Sequence, residues 1–251
     1  MACRKTRQDA GLSVVAAAPR AWYTSNVIHF HIITLFPESV EGYLASSILG
    51  RAREKKLIKI SYYDPKKFAV GKHKRVDQRP YGGGPGMVLE PQAMLRAAEK
   101  ALKKAQGKAR TAKADVIFFA TDGVQFDEAT AKALAKAPRS GTKHILLVSG
   151  RYEGVDARVP KILKAQHVTM GPYVLTGGEL PAATLVDAVS RFVPGVLGKI
   201  ESLERNRVSS PEVYTRPDVL VWKKKKYRVP EVLKSGHHAA IDKWKVDRHE
   251  K

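Results

Sequence analysis

The sequence predicts an α/β protein: a mainly parallel sheet with helices on both faces, followed by a small, mainly helical C-terminal domain. Three observations lead there. Apolar, β-branched runs alternate with helix-like segments along residues 27–197. Two of the runs stop abruptly at a glycine, Gly150 and Gly171, as strand ends do where a ligand crevice opens. Past residue 197 the apolar periodicity is lost, and the chain resumes as a short basic unit.

Taken in order, residues 1–26 carry basic side chains and a short apolar run at 12–18 that is too brief for a secretory core. They are read as a basic, disordered extension. The run from Val27 to Phe36 is a buried strand, and Pro37-Glu38 opens a helix through about Arg53. A second strand, Leu57 to Tyr63, leads through a basic loop into Asp77-Gln78-Arg79-Pro80-Tyr81-Gly82-Gly83-Gly84-Pro85-Gly86-Met87. Its glycine spacing raises a Rossmann-type nucleotide site, but no strand runs directly into the glycines and no Gly-Lys-Ser/Thr follows. A loop that moulds itself around RNA or cofactor fits the context better.

Pro91 to Ala105 reads as a helix with Met94, Leu95, Ala98, Leu102 and Ala105 on one face. Then follow a strand from Asp115 to Thr121, a helix from Asp127 to Ala137, a strand from His144 to Ser149, a helix from Asp156 to Leu163 and a strand from His167 to Met170. Two loops, 150–156 and 171–181, are expected to leave neighbouring strand ends and build the active site together. The second runs into a helix with Pro181 in its first turn. Residues 198–211 are a linker, and 212–251 form the basic unit, with Tyr214-Thr215-Arg216-Pro217, four lysines at 223–226 and a helix from about Ser235 through Trp244.

Charge narrows the function. The chain of 251 residues holds 45 Lys+Arg against 24 Asp+Glu, a formal net charge of +21, which calls for a polyanionic partner, nucleic acid before a membrane surface. No apolar run approaches the roughly 18 residues that span a bilayer. One cysteine, Cys3, rules out an internal disulfide framework and a cysteine-based zinc site, and suits a cytoplasmic setting. The sequence assigns no metal ligand.

Six motifs carry a resemblance to a known family: ITLFPE near 32–38, DQRPYGGGPGMVLEP at 77–91, LLVSGRYEGVDARV at 146–159, GPYVLTGGELPAATLVDAVSRFVPGVLG at 171–198, YTRP at 214–217 and VPEVLKSGHHAAIDKW at 229–244. In order and spacing they resemble the bacterial tRNA (guanine-N1)-methyltransferases of the TrmD type, in the SPOUT superfamily, over about residues 27–245. The resemblance implies a SPOUT fold with a deep trefoil knot and S-adenosylmethionine bound in the knot. It implies N1 methylation of guanosine at tRNA position 37, next to the anticodon, with a magnesium ion. It also implies a homodimer in which each site takes its knot from one subunit and its linker and C-terminal domain from the other.

Methylating a ring nitrogen requires a methyl held in line with N1, removal of the N1 proton and stabilisation of charge on O6, tasks suited to glycine-rich backbone, a carboxylate and a guanidinium. By resemblance, cofactor contacts fall on Phe118, Phe119, Gly150, Tyr152, Met170, Gly171, Pro172, Tyr173, Val174, Leu175, Gly177, Gly178 and Pro181. Arg191 matches the guanine-polarising arginine. Glu153 matches the active-site glutamate that organises substrate or magnesium. The chain departs from the pattern at the proton acceptor: the family's aspartate position falls on Asn206, and in this shorter linker Glu204 is the residue placed to replace it. Pro172 stands where the family usually has aspartate. A catalytically weakened or non-catalytic tRNA-binding homologue is the alternative that Asn206 leaves open.

Overall fold

Strand β1 (Val27–Ile33) lies near the middle of a five-stranded sheet and is buried on both sides of the backbone, with Ile28, Phe30 and Ile32 on one face and His29, His31 and Ile33 on the other. Ile28, Phe30 and Ile32 point into one core layer; Ile33 and the following Leu35 point into the other. This is the period-two alternation of a strand covered on both faces. Around it the order is β2-β1-β6-β5-β7, with β2 (Ile58–Tyr63), β5 (Asp115–Gln125), β6 (Thr142–Val148) and β7 (Gln166–Thr169), and every pairing is parallel. The computed structural model describes residues 27–71, 73–106, 114–136, 141–197 and 212–249. The extension 1–26 and the linker 198–211, with Glu204 and Asn206, lie outside the described residues.

Helices cover both faces, as the alternation predicts. One layer holds α1 (Glu38–Leu44), α2 (Ser47–Glu54), α4 (Glu128–Ala135) and α6 (Glu179–Ser190); the other holds α3 (Pro91–Gln106) and α5 (Arg158–Leu163). Small residues on α3, Ala93, Ala97, Ala98 and Ala101, let that helix approach the sheet closely. Fully buried Ile, Leu and Phe side chains stabilise the sheet by about 1.5–3 kcal/mol each.

Three local expectations are corrected. The helix expected from Pro37 to Arg53 is two helices, because Ser46 turns extended (φ −104, ψ 164) and starts the second. Its hydroxyl donates to the Tyr43 carbonyl at 2.8 Å, the local competition by which serine ends a helix. Second, β6 and β7 are not neighbours, since β5 lies between them. Alternating apolar runs specify parallel pairing but carry no strand order. Third, β5 runs past Thr121 to Gln125, with a register shift against β7 between Phe119 and Val124.

The glycine segment at 82–86 is the tip of a small antiparallel hairpin between β3 (Asp77–Gln78) and β4 (Val88–Leu89). Gly82, Gly83, Gly84 and Gly86 all have positive φ, and Tyr81 at the tip is fully exposed. This is not a strand-to-helix phosphate loop.

Residues 212–249 carry more strand than the sequence suggests: a hairpin of β8 (Val219–Trp222) and β9 (Lys225–Arg228), then α7 (His238–His249), which begins a little later than expected. The lysine run is the hairpin's bend. Lys223 (φ 46) and Lys224 (φ 65) form a two-residue left-handed turn that suits the strand twist, a place where Asn-Gly is the usual sequence. Tyr214 packs edge-on against Trp244 of α7, and the Arg248 guanidinium lies over the Trp244 ring.

Candidate active site

At the carboxyl edge of the sheet, β5, β6 and β7 end around a cleft of about 480 Å³. That is the size of pocket that takes a small molecule. Its walls come from Phe118 and Phe119 on β5, Val168 to Met170 at the end of β7, and the two loops expected from the sequence. Where β5 separates those loops at the sheet, they meet again above it. The Gly178 N–H donates to the Gly150 carbonyl at 2.9 Å, the Ser149 hydroxyl donates to the Gly178 carbonyl at 3.0 Å, and Arg151 bridges to Gly177.

Glycine is required at this crossing for space. A Cβ on Gly178 would lie 2.6 Å from Ser149 Cα and 3.0 Å from Gly150 N, closer than backbone atoms tolerate. A Cβ on Gly177 would strike Arg151 Nε at 2.5 Å. The first loop is also stitched to β4: Leu89 N donates to Gly154 O, Asp156 N to Leu89 O and Glu153 N to Met87 O, each at 3.0 Å. Glu153 thereby projects from the cleft wall over bare Gly86, where a Cβ would meet its carboxylate at 2.5 Å.

Of the cofactor residues expected from the sequence, Phe118, Phe119, Gly150, Tyr152, Met170, Tyr173, Val174, Leu175, Gly177, Gly178 and Pro181 line the cleft. Gly171 and Pro172 do not. Gly171 serves the turn instead, its carbonyl accepting from Thr169 Oγ1 and from Tyr173 N. Helix α6 starts at Glu179, two residues before Pro181, so Pro181 is in its first turn as expected and is buried against the cleft. Arg191 caps the opposite end of α6 and lines a different groove, with Ser39, Val40, Tyr43, Leu180 and Asp187 among its walls. Twelve helical residues at 1.5 Å each put the two ends of α6 about 18 Å apart.

Sequence reasoning missed the buried support of the cleft. Glu179 is 2% exposed; its Oε1 accepts from Thr34 Oγ1 at 2.8 Å, and its Oε2 lies 2.9 Å from Arg151 Nε. The arginine contact is a close ion pair without the alignment of a hydrogen bond. Thr34 Oγ1 accepts in turn from the Phe36 N–H, and the Arg151 guanidinium lies 4.9 Å over the Phe36 ring. The end of β1, the first loop and the start of α6 are thus tied by one charged cluster. The available signal was a glutamate in the first turn of a helix, where the dipole favours a carboxylate.

A parallel α/β domain whose glycine-bearing loops cross above the strand ends defines a small-molecule-binding enzyme fold with its site at the carboxyl edge. Residues 28–251 match the family described as tRNA (Guanine-1)-methyltransferase TrmD, and the chain belongs to that family, which carries the SPOUT fold. It is 44% identical to a tRNA (guanine-N(1)-)-methyltransferase of Myxococcus xanthus (strain DK1622) over 219 residues, 85% of this chain and 82% of the relative. A like-named protein of Actinobacillus pleuropneumoniae serotype 5b (strain L20) is 42% identical over 221 residues, covering 86% and 84%. One of Lachnoclostridium phytofermentans is 37% identical over 247 residues, covering 88% and 86%.

Proposed function

We propose that the protein transfers a methyl group from S-adenosylmethionine to N1 of guanosine at position 37 of tRNA. The observation that carries this reading is the crossing of the 149–156 and 171–178 loops around a cleft at the carboxyl edge, built from the motifs by which the chain resembles its family. When bound, S-adenosylmethionine supplies the electrophilic methyl. The cleft suits it by shape and chemistry: apolar walls at Phe119, Val168, Met170 and Pro181, and open backbone at Gly150, Gly177 and Gly178.

The chain's own groups divide the remaining work. Glu153, exposed at the cleft rim, orients the base or the magnesium ion. The Arg191 guanidinium stabilises charge developing on O6. Arg191 sits at the far end of α6 from its own cleft, which supports the arrangement the resemblance implies, a homodimer with composite sites in which Arg191 acts in the cleft of a second copy. Leu180 (60% exposed) and Tyr43 (55% exposed), apolar surface beside Arg191, are consistent with such a contact. The linker carboxylate Glu204 takes the N1 proton. The lysine hairpin and the net charge of +21 hold the tRNA backbone, and the setting is the cytoplasm. No helix among the described residues is long and apolar enough to cross a membrane.

The test is methyl transfer from labelled S-adenosylmethionine to two tRNA transcripts that differ only in guanosine or adenosine at position 37. Label on the guanosine transcript alone is expected. Equal labelling of both, or of neither with the cofactor bound, overturns the reading.

A further inference from the structure

Three imidazoles meet on the sheet away from the cleft. His29 and His31 stand two apart on β1, so both project to the same face, and His144 on β6 is the cross-strand partner of His29. Ring centroids are 3.9 Å apart for His29 and His31, 5.2 Å for His31 and His144, and 5.4 Å for His29 and His144. One ring nitrogen of each lies within 4.8 Å of the others. His31 is 1% exposed and His144 9%, which seals the cluster yet leaves it one side chain from solvent. Burial first, and neighbouring imidazoles second, pull His29 and His31 down to about 3, so the rings are neutral.

We propose that His29, His31 and His144 form a binding site for a divalent transition-metal ion of the zinc class, with a fourth position open to a small anion or water. Neutral imidazole is the donor that zinc, cobalt, nickel and copper share, and three histidines with one open position are a zinc donor set. Magnesium and calcium, which take oxygen ligands, do not fit. The rings already carry the outer hydrogen bonds that orient metal-binding histidines. His29 Nε2 is 2.9 Å from Ser61 Oγ, and His31 Nδ1 is 3.0 Å from Tyr63 OH. Those partners leave His29 Nδ1 and His31 Nε2 as the donor atoms.

His31 Nε2 lies 2.9 Å from His144 Nδ1, so in the metal-free state one proton is shared along that contact. Binding moves that proton to the other nitrogen of its own ring, so both facing nitrogens become ligands and the imidazoles stay neutral. Tetrahedral zinc at about 2.0–2.1 Å from each nitrogen sets ligand nitrogens about 3.3 Å apart, so the rings adjust by about an ångström. Lys59 and Lys104 add positive potential at the cluster. That potential favours a small anion over neutral water at the fourth position.

The test uses full-length protein without a polyhistidine tag, stripped with chelator and titrated with zinc and then cobalt. One ion per chain is expected to bind, with the strong visible absorption of tetrahedral cobalt. At free zinc 100-fold above Kd, the folded-to-unfolded ratio in denaturant rises about 100-fold. His144→Gln, at the rim, abolishes the absorption and the stabilisation, whereas His237→Gln with His238→Gln, on the C-terminal unit, leaves both. Should His144→Gln not fold, histidine nitrogen chemical shifts of the unsubstituted protein decide: zinc must move three buried imidazoles. Absence of stoichiometric binding, or binding that survives His144→Gln and vanishes with the surface pair, overturns the site and leaves the triad as a hydrogen-bonded core chain.

Discussion

Replacing Gly178 by alanine isolates the crossing of the two loops. Gly178 has φ −85, which alanine adopts freely, so the perturbation is one methyl group and nothing else. That methyl would stand 2.6 Å from Ser149 Cα, 2.9 Å from Ser149 Cβ and 3.0 Å from Gly150 N, where ordinary contact begins near 3.4 Å. The backbones must therefore part by several tenths of an ångström, up to about 1 Å. Overpacking of this kind costs about 1–3 kcal/mol. The hydrogen bonds Gly178 N–H to Gly150 O and Ser149 Oγ to Gly178 O stretch with it, at about 1 kcal/mol each. Denaturant unfolding should show a loss of about 2–4 kcal/mol, and calorimetry should show S-adenosylmethionine binding weakened at least tenfold. Gly42→Ala, in α1 with open space around its Cβ, is the control and should leave cofactor affinity unchanged. Wild-type cofactor affinity in Gly178→Ala would refute the claim that this crossing shapes the cofactor site.

Three further outcomes are expected. Glu204→Ala should lose about 10²–10⁴-fold in methyl transfer with both ligands still bound, and Asn206→Ala should do little; a silent Glu204→Ala with activation by Asn206→Asp would move the base to position 206. Mixed dimers of Glu153→Ala and Arg191→Ala subunits should recover activity that neither parent has, because one composite site is intact, and no recovery would place both residues in one chain's site. In chelator, stability should fall as pH drops from about 6.5 toward 3. His29 and His31 have folded pKa values of about 3, below the unfolded 6.5, so the unfolded chain takes up protons that the folded one refuses. Two such groups give a slope of at most about 2.7 kcal/mol per pH unit, and denaturation curves that coincide at pH 7 and pH 5 would contradict it.

The fold was legible because Ile28-His29-Phe30-His31-Ile32 alternates with period two and Ile145-Leu146-Leu147-Val148 is an unbroken apolar run, the two signatures of strands with one or both faces apolar. Strand order was not, since nothing in the runs themselves says that β6 enters between β1 and β5. The cleft's glycines were legible because the motifs containing them are dense and specific. Glu179 and Thr34 were not, because a buried carboxylate is recognised by its partners, and these come from 145 residues apart. The histidine triad escaped for the same reason: His29 and His31 are visible as a pair on one strand, but His144 joins them only through pairing.

The turn at Lys223 and Lys224 has a consequence for evolution and engineering alike. A left-handed pair of residues is the place where Asn-Gly gives a relaxed hairpin, and two lysines hold that conformation under mild strain. The hairpin therefore trades rigidity for charge. Selection for heat resistance alone would drive this turn toward Asn-Gly and remove two positive charges, so Lys223→Asn with Lys224→Gly should melt higher and, on the proposed function, bind tRNA with a shallower dependence on salt. A salt slope unchanged by that exchange would mean that the bend never touches a phosphate.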